Sequence, residues 1–115
     1  MKIKGTIRSK EVIILVDSGA TRNFLSLELV QQPGICRRVC ISMQGLIVVE
    51  DFLPLELGNT DVILGMPWLG ILRDVKVNWK MLTMKIRMGK TMIVLKGDSS
   101  LSRTEVSLKA MARAM

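Results

Sequence analysis

The feature that most constrains this chain is an alternation of apolar and polar residues with a period of two. Leu82, Met84, Ile86 and Met88 are separated by Thr83, Lys85 and Arg87, and that period puts the apolar set on one face of an extended strand. A Gly89-Lys90 turn then feeds Met92-Ile93-Val94-Leu95, which predicts a hairpin with its basic face outward. Near the start, Ile3 and Ile7 alternate with Lys2, Lys4 and Arg8. A Ser9-Lys10-Glu11 turn leads from them into the apolar run Val12 to Val16. That pattern predicts a second hairpin whose returning strand is buried. Further strands are expected over Ile35 to Ile41, Leu46 to Val49, Phe52 to Leu57, Val62 to Leu64 and Val75 to Trp79, so the fold class is all-β.

Two helical segments interrupt the pattern. Pro67 suits a first helical position because its φ is already fixed, which predicts a short helix through Leu72. After Gly97-Asp98-Ser99-Ser100, Ser102 and Glu105 form an S-x-x-E capping box, and Val106, Ala110 and Ala114 recur every fourth residue. The chain therefore divides into a β body, residues 1–98, and a helical tail, residues 99–115. At 115 residues, 49% of them hydrophobic, the chain suffices for one domain whose core needs no disulfide staples.

Absences exclude whole mechanisms. The chain has no His and no Tyr, which removes the Ser-His-Asp and Cys-His relays and any His-ligated zinc. Acid and base work falls to carboxylates or lysines. The apolar runs are four or five residues long, against roughly 18 or more for a bilayer span, so no membrane association is expected. The basic start Met1-Lys2-Ile3-Lys4-Gly5 lacks a secretory apolar stretch, and the cytoplasm is the expected compartment.

The most informative segment is Asp17-Ser18-Gly19-Ala20, directly after the apolar run. A carboxylate at the end of a buried strand is partly desolvated, and Gly19 lets the chain turn so that amide N–H groups point back at it. An Asp-Ser-Gly is also an ordinary turn or helix cap, and both readings are open from these residues alone.

The wider neighbourhood carries more. Val16-Asp17-Ser18-Gly19-Ala20-Thr21 resembles the active-site signature of retropepsin-like aspartic proteases, and Arg22-Asn23-Phe24-Leu25-Ser26 continues the version typical of Ty3/gypsy retrotransposons. Val49 to Gly58 and Asp61-Val62-Ile63-Leu64-Gly65-Met66-Pro67-Trp68-Leu69 resemble that family's second half, and Val77 to Met84 and Lys96-Gly97-Asp98 extend the likeness over nearly the whole chain. The resemblance implies a closed β-barrel with one short helix. It implies an aspartic-type endopeptidase that processes a polyprotein, with Asp17 catalytic and Ser18, Gly19, Ala20 and Thr21 forming the active-site loop. Ile63, Leu64 and Gly65 would support that loop from beneath.

Peptide hydrolysis of this kind needs two carboxylates sharing one proton, and one chain offers one Asp-Ser-Gly. The resemblance therefore implies a homodimer with paired Asp17 side chains, a peptide or polyprotein substrate, and no metal or organic cofactor. In relatives a strand climbs into a glycine-containing flap before the strand resembling Ile35 to Ile41. Here only Leu27 to Gly34 lie between, enough for one helical turn and a bend. The flap is expected to be missing, which leaves two readings open: a working protease, or a catalytically silent remnant kept as a dimerisation or peptide-binding module.

Other residues read more plainly. Glu50, Asp51, Glu56 and Asp61 are expected to be solvated. Cys36 and Cys40, four apart on a strand, would lie about 13 Å from one another and are expected to stay reduced. The methionines, such as Met84 and Met88, and both Trp68 and Trp79 are expected to pack inward. Residues 73–96 carry Arg73, Lys76, Lys80, Lys85, Arg87, Lys90 and Lys96 against Asp74 alone, a stripe that suits nucleic acid or an acidic partner. No aromatic interleaves with its outward residues, so a solvated sheet face is the plainer reading and nucleic acid is not an expected partner. A basic β-barrel that binds nucleic acid stands third among the functional readings.

Overall fold

The structure, a computed structural model, describes residues 1–30 and 34–101. Among these residues nine strands form, β1 (Lys2–Ile7), β2 (Lys10–Val16), β3 (Phe24–Ser26), β4 (Cys36–Met43), β5 (Leu46–Leu55), β6 (Val62–Leu64), β7 (Val75–Asn78), β8 (Thr83–Met88) and β9 (Thr91–Lys96). A single 3₁₀ turn, Leu27–Leu29, follows β3, and one short helix, α1 (Met66–Leu69), follows β6.

The first hairpin turns more tightly than its sequence suggests. Arg8 and Ser9 both take positive φ, 49° and 68°, and Ile7 pairs with Lys10. A two-residue turn of this hand matches the natural twist of the strands, so Lys10 and Glu11 belong to β2 rather than to the turn. The β4–β5 connection repeats the device with Gln44 and Gly45, at φ 48° and 87°. β5 is one continuous strand across Glu50 and Asp51, where two strands were expected.

The barrel closes in the order β1-β2-β6-β3-β5-β4, with Thr6 of β1 opposite Ser42 of β4 at the seam. Unlike the expected single barrel over the whole β body, β7, β8 and β9 form a separate three-stranded sheet. Its inner face nevertheless joins the same core. Met84, Ile86 and Leu95 are buried with Ile3, Ile14, Phe52 and Leu64, as the period of two requires. The clasp between the two sheets is a side chain: Gln44 donates through Nε2 to the Lys96 carbonyl at 2.7 Å and accepts the Lys96 N–H at 2.7 Å.

Three placements are corrected. Lys2 is buried although its alternation put it outside. Trp68, on α1, is 4% exposed as a packing residue should be, but Trp79 is 69% exposed and Met88 44%, because each lies at a sheet end whose inner face no described residue covers. Of the four carboxylates expected to be solvated, Asp51 and Glu56 are exposed and Glu50 and Asp61 half-buried, and two of them hold backbone amides. Asp61 Oδ2 accepts the Ile13 N–H at 2.7 Å. Asp51 Oδ1 accepts the Arg38 N–H at 2.8 Å, beside a bulge between Cys36 and Val39, where a backbone donor leaves the ladder and needs another partner. Cys36 and Cys40 are free thiols.

α1 starts one residue before Pro67 and ends at Leu69, three residues short of expectation. The helical tail and its Ser102–Glu105 capping box lie outside the described residues, apart from a first turn at 99–101. That turn begins ahead of the expected box, and Asp98 caps it by accepting the Ser100 N–H at 3.0 Å and hydroxyl at 2.6 Å. These bonds, the hydroxyl's first, hold the Asp98 carboxyl below the usual range. Among the described residues no helix is long and apolar enough to cross a membrane.

Candidate active site

β6 runs parallel to β2 and antiparallel to β3, with Val16 opposite Leu64 and Phe24 opposite Ile63. The chain leaving β2 must therefore pass over the end of β6 to reach β3. The crossing segment is residues 17–23, and Asp17 is its first residue.

Backbone bonds fix that segment from both sides. The Asp17 N–H donates to the Leu64 carbonyl at 3.0 Å, and the Ala20 N–H donates to the Asp17 carbonyl at 3.2 Å. The Gly19 N–H donates to Asp17 Oδ1 at 2.8 Å, so the turn aims an amide at the carboxylate and sets its orientation. A side chain at Gly19 would begin 3.2 Å from that oxygen. Asp17 is half-buried, while Ser18, Gly19 and Thr21 are exposed. The Ser18 hydroxyl has no partner among the described residues of its own chain.

The expected supports do gather beneath the loop. Leu64 is fully buried and supplies the carbonyl that holds Asp17, and Ile63 pairs with Leu15 on one side and Phe24 on the other. Gly65 is pressed against the loop so closely that a Cβ there would lie 2.5 Å from the Arg22 carbonyl oxygen and 2.6 Å from that of Ala20. The next amide, Met66 N–H, donates to the Ala20 carbonyl at 2.9 Å.

Two residues without an expected role complete the frame. Asn23 is 3% exposed, accepts the Gly65 N–H through Oδ1 at 2.9 Å and donates through Nδ2 to the Asp51 carbonyl at 3.4 Å. Its own carbonyl accepts from Leu53 N–H at 3.0 Å. Asp61 ties the other end of β6 to β2, with its N–H on the Ile13 carbonyl at 3.0 Å and its carboxylate on the Ile13 N–H. The signal for Asn23 was its place inside the motif Arg22-Asn23-Phe24; nothing local foretold the burial.

Comparison with known proteins places this architecture. The sequence model of the family described as retroviral aspartyl protease matches residues 31–91, more than half of the chain. The chain belongs to the retroviral aspartyl protease family. Comparison with curated proteins gives no match. Among solved structures, the retroviral protease-like domain of Ddi1 from Leishmania major shares the fold at a TM-score of 0.60. It is 20% identical, with 75% of this chain and 83% of that one covered. The match to the retroviral aspartyl protease family begins after residues 17–23, so the part given to Asp17 rests on the geometry of its loop. Proteins of this family act as dimers on peptide substrates.

Proposed function

We propose that residues 1–98 are the aspartic-type endopeptidase domain of a Ty3/gypsy-type retrotransposon polyprotein, with residues 99–115 a tail or linker, working as a cytoplasmic homodimer. The observation that carries this reading is the Asp17 loop: a half-buried carboxylate oriented by an amide at 2.8 Å on a rigid crossing between β2 and β3. Rigid placement is what general acid and base chemistry requires of a carboxylate.

In the dimer the two Asp17 side chains face one another and share one proton, as in aspartic proteases generally. The ionised Asp17 takes a proton from a water whose oxygen attacks the scissile carbonyl carbon. The protonated Asp17 donates its proton to the carbonyl oxygen, giving a tetrahedral diol. Collapse of the diol breaks the C–N bond as the proton held by the first carboxyl passes to the leaving amine and a diol hydroxyl returns its proton to the second carboxylate, which leaves a carboxylic acid product and the one-proton pair restored. Ser18 grips the opposite loop across the two-fold axis, and Gly19 carries the turn.

A second reading is supported by the short path from the 3₁₀ turn at Leu27–Leu29 to β4 at Cys36. It holds no length for a flap that would close over a peptide, align it and exclude water. On that reading the fold is kept as a dimerisation or peptide-binding module. The test is cleavage of a peptide library from pH 3 to 7 by the wild-type chain and Asp17→Asn, with sedimentation of both. Cleavage with an acidic optimum, confined to dimers and lost in the variant, supports the protease. A folded dimer that cleaves nothing supports the silent module.

A further inference from the structure

We propose that the open edge of β4 binds an extended, acidic segment of another protein, which adds to the sheet as a strand. Met43 and Leu46 flank the two-residue Gln44-Gly45 turn and face one another across the β4–β5 ladder. In an antiparallel pair the bonding direction alternates, so Val39 and Ile41 turn their N–H and C=O groups to β5, while Cys40 and Ser42 turn theirs away. On that outer side Ser42 meets Thr6, the single rung between β1 and β4 among the described residues. Continuing the register would set Arg8 opposite Cys40, but Arg8, at φ 49°, already turns into the first hairpin. Among the described residues no strand lies against the Cys40 N–H and C=O.

The same edge borders a cavity of about 740 Å³, lined by Thr6, Ser42 and Cys40 themselves. One part of its wall is apolar: Leu25 is buried, and Leu29, Val30 and Val39 are half-buried against the core. Arg8, Arg37 and Arg38 line it as well and are exposed, and no carboxylate is among its described lining residues. Asp51 accepts the Arg38 N–H at 2.8 Å, a contact with backbone. Among the described residues no ion pair joins any of the three guanidinium groups. No residue of the 17–23 loop lines the cavity.

Three features together select one occupant. An open N–H and C=O on a strand edge is matched by extended backbone, which neither a nucleic acid nor a simple anion offers. The apolar wall takes the side chains that alternate residues of such a strand turn inward, and the arginines take carboxylates on the residues between. The chain's own tail is unsuited, because residues 102–115 carry Arg103, Lys109 and Arg113 against Glu105. A second copy brings the same three arginines and a net charge of +7, so like charges oppose it. The site is independent of Asp17 and stands or falls apart from the proteolytic reading.

The probe is a labelled nonapeptide of alternating glutamate and valine, titrated with the full chain by fluorescence anisotropy, with amide exchange followed on the same complex. The expected result is saturable binding that slows exchange at the Cys40 amide more than at those of Val39 and Ile41, which β5 already holds. Arg8→Glu with Arg37→Glu should weaken binding at least about tenfold, as like charges replace complementary ones. Cys40→Pro removes the outward donor without touching the β5 ladder and should weaken binding about fivefold or more. Asp17→Asn should bind as the wild type does. Where Cys40→Pro does not fold, the arginine pair and the exchange pattern decide. No binding overturns the proposal, as does binding that leaves Cys40 exchange unchanged, binding indifferent to the arginine substitutions, or loss of binding in Asp17→Asn. Equal displacement by polyglutamate, by an oligonucleotide or by the same peptide with lysine for glutamate also overturns it. A dimer of the chain that the peptide dissociates overturns it in favour of a second copy on this edge.

Discussion

Asn23 and Gly65 are joined inside the protein by a 2.9 Å hydrogen bond, from the Gly65 N–H to Asn23 Oδ1. They stand at opposite ends of the frame of the 17–23 loop, one closing the segment that begins at Asp17 and the other directly following the strand on which it rests. The amide would otherwise be a buried donor without a partner, a state that costs more than a satisfied bond gains.

Asn23→Ala should therefore destabilise the fold by about 1–3 kcal/mol, the penalty for orphaning such a group. Chemical denaturation of the variant beside the wild type measures it. A midpoint within error of the wild type would show that water replaces the side chain.

Gly65→Ala tests steric fit at the same place. The added methyl would meet the Arg22 and Ala20 carbonyl oxygens at 2.5 and 2.6 Å, and both are backbone atoms that cannot swing aside. The expected loss is about 1–3 kcal/mol or more, as for overpacking. Faster amide exchange across residues 17–23 should accompany it. An unchanged exchange pattern would mean that the loop tolerates displacement.

The period of two was enough to find most strands, including Val62–Leu64 at its true limits, because each face of a strand is written in alternate residues. It did not reveal β3, whose three residues are too short to show a period. Nor did it separate the β7-β8-β9 sheet from the barrel, since alternation marks a face without saying which sheet owns it. Asp17, Leu64 and Gly65 were legible through a motif. Asp61 and Asn23 were not, because their partners Ile13 and Gly65 lie 48 and 42 residues away. Trp79 escaped for the opposite reason: an aromatic beside an apolar strand reads as core until the end of the sheet is seen to be uncovered.

Asp61→Ala should cost about 1.5–3 kcal/mol, the range for a hydrogen bond to a charged group, since the carboxylate is what ties β6 to the Ile13 N–H. Asp61→Asn keeps an acceptor oxygen at that position and should recover much of the loss. Thermal melts of the pair decide it; equal destabilisation by both would assign the effect to charge instead of to the bond.

Glu50 supplies a pH dependence. Partial burial, and then the neighbouring Asp51 charge, push its carboxyl above the ordinary 4.5. A folded state that holds the proton more tightly than the unfolded state loses stability as pH rises through this range. Glu50→Gln should therefore match the wild type below about pH 4 and exceed it modestly above, with the gap opening from the ordinary carboxyl value upward. Denaturation midpoints at pH 3.5 and 7 measure the gap, and a gap that shrinks at neutral pH would reverse the sign.

β9 is an edge strand of its sheet, and among the described residues no strand pairs with its outer side; such an edge is a template on which another extended chain could grow. The Gln44 carboxamide, by taking both the N–H and the C=O of Lys96, behaves as a strand one residue long laid against that edge. Any incoming segment must first evict it to pair along the whole of β9. A single turn residue of the barrel thus closes one rung of the other sheet's edge.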